Sequence, residues 1–216
     1  MATPAAPRRI AATRVQRLNK HQQRTDATRK ALLESARRIF ARDGFEAARI
    51  EDIAASTGHT RGAFYAHFES KEELFFALLE HESQRRVEEL RAIFERTVNQ
   101  QEHLDALREF YVRRTLDPHW VMLTLEFKLF AVRHPRLRAR LAATHRRIRA
   151  SLHMASLNQL LPSAIQGGGK AHESRKVALE ALLNGMVLEH AYDPERISKT
   201  RVAELLGRLF DAVLES

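Results

Sequence analysis

The chain contains no cysteine. That excludes disulfides, cysteine-ligated zinc, iron–sulfur clusters and thiol nucleophiles together, and it fits a reducing compartment. Glycine (8) and proline (6) are scarce in 216 residues, and β-branched runs are missing. With few helix breakers and Ala, Leu, Arg and Glu abundant, an all-helical chain is expected. Long apolar runs are absent too: the longest is Leu74–Leu79, against the roughly 18 residues a membrane helix needs. No apolar stretch follows the N-terminal arginines, so no signal peptide is expected and a cytoplasmic protein without membrane attachment is the default. What is present is a core's worth of apolar residues, 44 %, too many for a disordered chain. Positive charge is also present, 36 Lys and Arg against 27 Asp and Glu, a net +9. Such a surplus suits a polyanionic partner and says nothing about fold.

The surplus is uneven. Residues 1–25 hold Arg8, Arg9, Arg14, Arg17, Lys20 and Arg24 and no acid. Their few apolar residues, Ile10, Val15 and Leu18, cannot offset the entropy of ordering the stretch. The sequence therefore predicts a flexible basic arm over residues 1–24, serving either nucleic-acid contact or solubility. A second basic block, Arg133–Arg149, has seven arginines and no acid. Leu137, Leu141 and Ile148 interleave with it at helical spacing. It reads either as the solvated face of an amphipathic helix or as a patch facing an anion or a partner.

Leu32, Ala36, Ile39 and Phe40 form the stripe of a first helix, with Thr25 or Asp26 as cap and Gly44 as its left-handed end. Short helices are expected over Ile50–Ser56 and from Thr60 to about Ala66. Ser70-Lys71-Glu72-Glu73 is a capping box opening a long helix to about Glu95. Further helices are expected at His103–Leu116, stopped by Asp117-Pro118, and at His119–His134, stopped by Pro135. Another should run over Arg136–Leu160, before Pro162. Gln166–Lys170 reads as a flexible loop, and Glu173–Ala191 as a helix ending at Asp193-Pro194. The last helix carries Val202, Leu205, Leu206, Leu209, Phe210 and Val213. That makes nine helices.

Two short helices around Thr57-Gly58-His59 meet the needs of a helix-turn-helix. Ala54 is small enough for the second helix to approach the first, and Gly58 permits positive φ in the turn. Ile53, Phe64 and Phe68 can bury against helix one. Thr60 can cap a second helix whose start presents Arg61, Gly62 and Ala63, and such a helix fits the major groove.

Residues 28–79 resemble the DNA-binding domain of the TetR (tetracycline-repressor-like) family of bacterial transcriptional regulators. The likeness lies in Ala36-Arg37-Arg38-Ile39-Phe40 with Asp43-Gly44-Phe45, then Glu51-Asp52-Ile53-Ala54, Gly62–Phe68 and Ser70–Leu74. It implies an all-α, nine-helix homodimer. Residues 25–70 would be the DNA-binding domain and 71–216 the ligand-binding and dimerisation domain. By position, Thr60, Arg61, Gly62 and Ala63 would face bases, and Thr28, Tyr65, His67 and Lys71 would meet phosphates. Two departures add candidates. Arg49 lies where the family has a cap-forming threonine nearby, and His59 replaces a small apolar residue in the turn. Gly62 and Ala63 offer no side-chain hydrogen bonds, so base readout would lean on Arg61 and on DNA shape.

Enzyme chemistry finds no footing. No Glu is followed by His three residues on, and neither a zinc-protease pair nor a G-x-S-x-G nor a phosphate loop is present. No metal or cofactor is expected. Phe110, Trp120, Met122, Phe127, Phe130, His153 and Met154 lie on the middle helices, as core or, by the resemblance, as the lining of a ligand pocket. Leu182, Gly185, Met186, Leu206 and Phe210 would sit in a four-helix dimer bundle. Gly185 marks either tolerated drift or a close helix approach. The expected function is a ligand-responsive regulator, a repressor, on a pseudo-palindromic double-stranded operator, released by a small-molecule effector. Two alternatives stand beside it: a ligand-independent dimeric DNA-binding protein with a filled core, and, remotely, a helical enzyme acting on an anionic substrate.

Overall fold

The computed structural model describes residues 8–115, 117–156 and 170–214. Among these the regular structure is helical throughout: α1 (Arg8–Ala47), α2 (Ile50–Ala55), α3 (Arg61–Tyr65), α4 (Lys71–Arg96), α5 (Gln100–Thr115), α6 (Pro118–Arg133), α7 (Pro135–Ser156), α8 (Lys170–Tyr192) and α9 (Lys199–Leu214). This is the expected all-α architecture, nine helices among the described residues.

Local chemistry sets most of the boundaries. Gly44, with φ 79° and ψ 168°, breaks α1 near its end. Ser70 accepts the Glu73 amide at 3.2 Å and starts α4. Pro118 and Pro135 do more than stop the helices before them, because each is the first residue of the next. Proline lacks the N–H that a first helical residue would leave unpaired anyway. Asp117 completes the start of α6 by accepting the Trp120 amide at 3.3 Å.

The N-terminus differs from expectation. The predicted flexible arm is helical from Arg8, so Thr25 and Asp26 lie inside α1 rather than capping it. The segment from Arg8 to Asp43 holds neither proline nor glycine. Extending an existing helix through Ala, Arg, Gln and Leu adds residues without a new nucleation cost. Residues 1–7 of that arm lie outside the described residues, as do 166–169 of the expected loop and the expected end of the seventh helix.

The chain divides into two units. One runs to Phe40 and resumes over Ala47–Leu78; the other comprises Ala41–Glu46 and the chain from Leu79. The division between the two units falls within α4, after Leu78. In the first unit Leu32, Leu33, Ala36 and Phe40 of α1, Ile53 and Ala54 of α2, Phe64 of α3, and Leu74 and Phe75 of α4 are buried. Each of the larger side chains contributes roughly 1.5–3 kcal/mol by leaving water. The Phe40 and Phe75 rings meet at 5.8 Å.

In the second unit α6 packs on α7 and α8, and α9 on α5 and α8. Phe45 explains why Ala41–Glu46 belongs here. Its ring meets Phe127 edge-on at 4.8 Å and Phe130 at 5.0 Å, and its amide donates to Glu126 Oε1 at 2.8 Å. Leu206, expected at the dimer interface, is instead buried within its own chain, as is Val202. α9 packs on α5 and α8 of the same chain.

Candidate nucleic-acid interface

The two short helices of the first unit are pinned by polar contacts as well as by the core. Ser35, buried on α1, donates to the Ile53 carbonyl at 2.9 Å and hydrogen-bonds Ser56. Thr57 donates to the Ala54 carbonyl at 2.8 Å. Gly58 takes φ 73°, the left-handed turn anticipated for it. Thr60 is extended and its hydroxyl accepts the Ala63 amide at 3.2 Å, which caps α3.

His59 closes the turn onto α1. Its Nδ1 lies 2.9 Å from the Thr57 carbonyl, so that nitrogen carries the proton and donates. Its Nε2 then accepts from the Thr28 hydroxyl at 3.3 Å. Histidine here is a clasp between the turn and α1. It also sets the position of Thr28, a proposed phosphate ligand.

Arg61, Gly62 and Tyr65 are exposed on α3 and Ala63 is half-buried. Arg61 pairs with Glu51 at 2.8 Å and lies over the Tyr65 ring at 5.5 Å. The Tyr65 hydroxyl first, with the charges of Tyr65 and Glu51 behind it, pushes the Arg61 guanidinium further above its ordinary value, so it stays cationic. Arg49 precedes α2 with no side-chain cap and lies 4.0 Å from Glu51. Glu51 therefore holds two of the proposed DNA contacts, a role no local motif signals. Lys71 donates to the Ala48 carbonyl at 3.0 Å, tying the start of α4 to the loop before α2. His67 is half-buried. Burial, then the Arg29 and His59 charges, lower its pKa from the ordinary value. Arg29, unmarked in the sequence, lies over Phe68 at 5.2 Å. A carbon added at Gly62 would meet only Thr60 Oγ1, at 3.6 Å, so the fold itself leaves room for a larger residue.

Phe110 packs with Leu90 and Leu107, while Phe127 and Phe130 gather on Phe45. Trp120 is buried beneath Arg86, 5.9 Å from its ring centre. The His153 and Met154 side chains lie outside the described residues, as does that of Phe210. Of the other interface candidates, Leu182 and Gly185 are exposed and Met186 is half-buried. Among the described residues no group of three His, Asp or Glu could hold a metal ion, and no helix is long and apolar enough to cross a membrane.

Known proteins carry both halves of this arrangement. Residues 32–78 match the family described as bacterial regulatory proteins, tetR family. Residues 100–215, more than half of the chain, match the BetI-type transcriptional repressor C-terminal domain. The HTH-type transcriptional repressor AcnR of Corynebacterium efficiens is 43 % identical over 61 residues, which are 28 % of this chain and 32 % of that protein. The chain thus matches about a third of the length of that relative. The fatty acid degradation regulator FadR of Bacillus halodurans has the same fold, with TM-score 0.64 and 18 % identity over 87 % of this chain and 94 % of that one. So does a transcriptional regulator from Saccharomonospora viridis in complex with choline, with TM-score 0.64 and 21 % identity over 86 % of this chain and 96 % of that one. A capped helix-turn-helix followed by this helical domain, each matching its own family description, identifies the chain as a member of the TetR family of bacterial transcriptional regulators, with a BetI-type C-terminal domain.

Proposed function

We propose that this chain is a transcriptional repressor that binds a pseudo-palindromic operator as a homodimer and leaves it when a small-molecule effector occupies the second unit. The observation that carries the DNA reading is the α3 surface. A short helix is capped by Thr60, locked to α1 through His59, and exposes Arg61 and Gly62. Rigid backbone around a free polar face is what insertion into a major groove requires.

For the dimer the support is a face of α8. Val177, Ala181, Gly185, Leu188 and Tyr192 recur at i, i+4, i+8, i+11 and i+15 and all are exposed. Nothing lies within 4 Å of a carbon added at Gly185, so its smallness has no use inside one chain. Two such faces together would space the recognition helices for half-sites about 34–36 Å apart. An effector that alters this spacing costs contacts at both half-sites, which a few kcal/mol of differential affinity achieves.

A ligand-independent regulator is the second reading, and Phe127 favours it. That ring is 0 % exposed, so an effector reaching it has to displace Phe45 or Phe130. The fold alone does not choose an effector class, since the choline-bound relative and the fatty acid degradation regulator are equally similar in structure.

Selection of binding sites from random duplex DNA tests the function. An inverted repeat with half-sites about one helical turn apart is expected. Recovery of no preferred sequence would remove the operator reading. Screening metabolites for release of that duplex, with calorimetry on each hit, separates the effector-controlled regulator from the ligand-independent one.

A further inference from the structure

We infer that the N-terminal part of α1 is a rigid, register-dependent extension of the DNA-binding face, with Arg17, Lys20 and Arg24 forming one phosphate-binding stripe in line with Thr28. The inference rests on the DNA reading above and goes beyond it by assigning a helical face outside the helix-turn-helix.

Three observations converge. The first is continuity. Residues 8 to 43 form one uninterrupted helical stretch, so the rotation of the N-terminal part is fixed by the part that packs in the first unit. The second is register. Positions 17, 20, 24 and 28 recur at i, i+3, i+7 and i+11, which is one stripe of an α-helix. Carried on by another seven residues, the stripe reaches Ser35. Ser35 and Thr28, both on α1, hydrogen-bond the helix-turn-helix, Ser35 to Ile53 and Ser56, Thr28 to His59. The side of α1 that carries the stripe is therefore the side on which the helix-turn-helix packs. The third is charge. Residues 1–25 contain no acid, and the first acid, Asp26, lies two positions after Arg24 and so on the opposite side of the helix. Arg24 itself is exposed.

The chemistry that fits is a phosphodiester backbone. Three cations at adjacent turns of one face repel each other, and a row of phosphates relieves that repulsion. Thr28 marks the junction, where its bond to His59 ties the stripe to the turn. The stripe adds affinity and reach beyond the bases that α3 covers, without reading sequence directly.

The experiment separates a helical stripe from a loose charged tail by altering rotation without altering charge. Inserting one alanine between Arg24 and Thr25 turns everything N-terminal by about 100°, whereas inserting four turns it by about 40° and restores the face. Operator affinity of the full chain is measured across a salt series for both insertions and for R17Q/K20Q/R24Q. A charge-matched control, R136Q/R138Q/R146Q on α7, loses as many cations elsewhere. We expect the stripe variant and the one-alanine insertion to lower the slope of log affinity against log salt by about 2–3, since each phosphate contact contributes about 0.9. The four-alanine insertion should retain most of the slope. Equal slopes for the two insertions and the parent chain would overturn the stripe and leave a tail. Equal losses in the stripe variant and the α7 control would overturn it as well, by showing a net-charge effect. A parent chain that binds no duplex at any salt would instead remove the DNA reading itself.

Discussion

At the scale of single residues, the proposed DNA contacts are already engaged within the chain. Arg61 is held by Glu51 at 2.8 Å and by the Tyr65 ring. To reach a base it must exchange that carboxylate for a guanine edge. Arg61→Ala should therefore weaken specific binding by about 1–3 kcal/mol and relax preference at one base pair per half-site. Glu51→Gln should strengthen binding to all sequences, because it removes both the competitor for Arg61 and a negative charge facing phosphate. Binding curves on operator and on random duplex distinguish the two effects. A loss for Arg61→Ala that is equal on both duplexes would take Arg61 out of base reading. His67 gives a pH signature. Its pKa in the free protein is lowered, chiefly by burial. The fold therefore refuses a proton that the unfolded chain accepts. His67's contribution to stability is intact above the unfolded value of about 6.5 and is lost as pH falls through the folded one. A phosphate beside His67 acts the other way on binding, since it favours the imidazolium. Operator affinity should thus rise from about pH 7.5 to about pH 5.5, and His67→Gln should flatten that rise. An unchanged pH profile in the variant would mean that His67 meets no phosphate.

At the scale of elements, two glycines separate fold from function. Gly44 sits at φ +79°, and a carbon added there would lie 2.6 Å from Glu126 Oε1. That carboxylate cannot retreat without leaving the Phe45 amide. Gly44→Ala should destabilise the protein by about 1–2 kcal/mol from the left-handed backbone alone, and by more once Glu126 moves. Gly62 has helical geometry and open space above it. Gly62→Ala should leave stability equal or raise it by up to about 1 kcal/mol, while DNA affinity falls because the added methyl occupies the face nearest the bases. Chemical denaturation together with operator titration checks both. A Gly62→Ala protein that binds normally would show that the backbone does not approach the DNA closely there. The helices themselves were largely legible in the sequence. The Ser70 and Thr60 caps, the Gly44 and Gly58 turns and the apolar stripes depend on residues within a turn or two of each other. The N-terminal segment expected as a flexible arm is helical from Arg8, because extending a helix asks for no burial of its own. It continues a helix that is already nucleated.

At the scale of the whole molecule, the proposed dimer needs an exposed apolar surface. Leu206 is 5 % exposed and lies inside its own chain, whereas Leu188 is 44 % exposed on α8. Leu206→Arg should cost several kcal/mol of fold stability by burying an unpaired charge. Leu188→Glu should leave the helical content and melting of the chain intact and split the dimer. Sedimentation and circular dichroism on the two variants decide the matter. A Leu188→Glu protein that sediments as a dimer would move the interface off that face of α8.

The sequence by itself determined the helical class, the position of the helix-turn-helix and the identity of its exposed residues. Those follow from propensity, caps and periodicity, which act between near neighbours in the chain. Only the tertiary structure decided what each side chain is free to do. Glu51 restrains Arg61, His59 clasps Thr28, and Lys71 is tied to the Ala48 carbonyl. Val202 and Leu206, part of a stripe that reads identically as a dimer seam or as core, are buried inside their own chain. An amphipathic pattern states that a face is buried, and it does not carry the identity of what buries it. That depends on which distant segments the folded chain brings alongside.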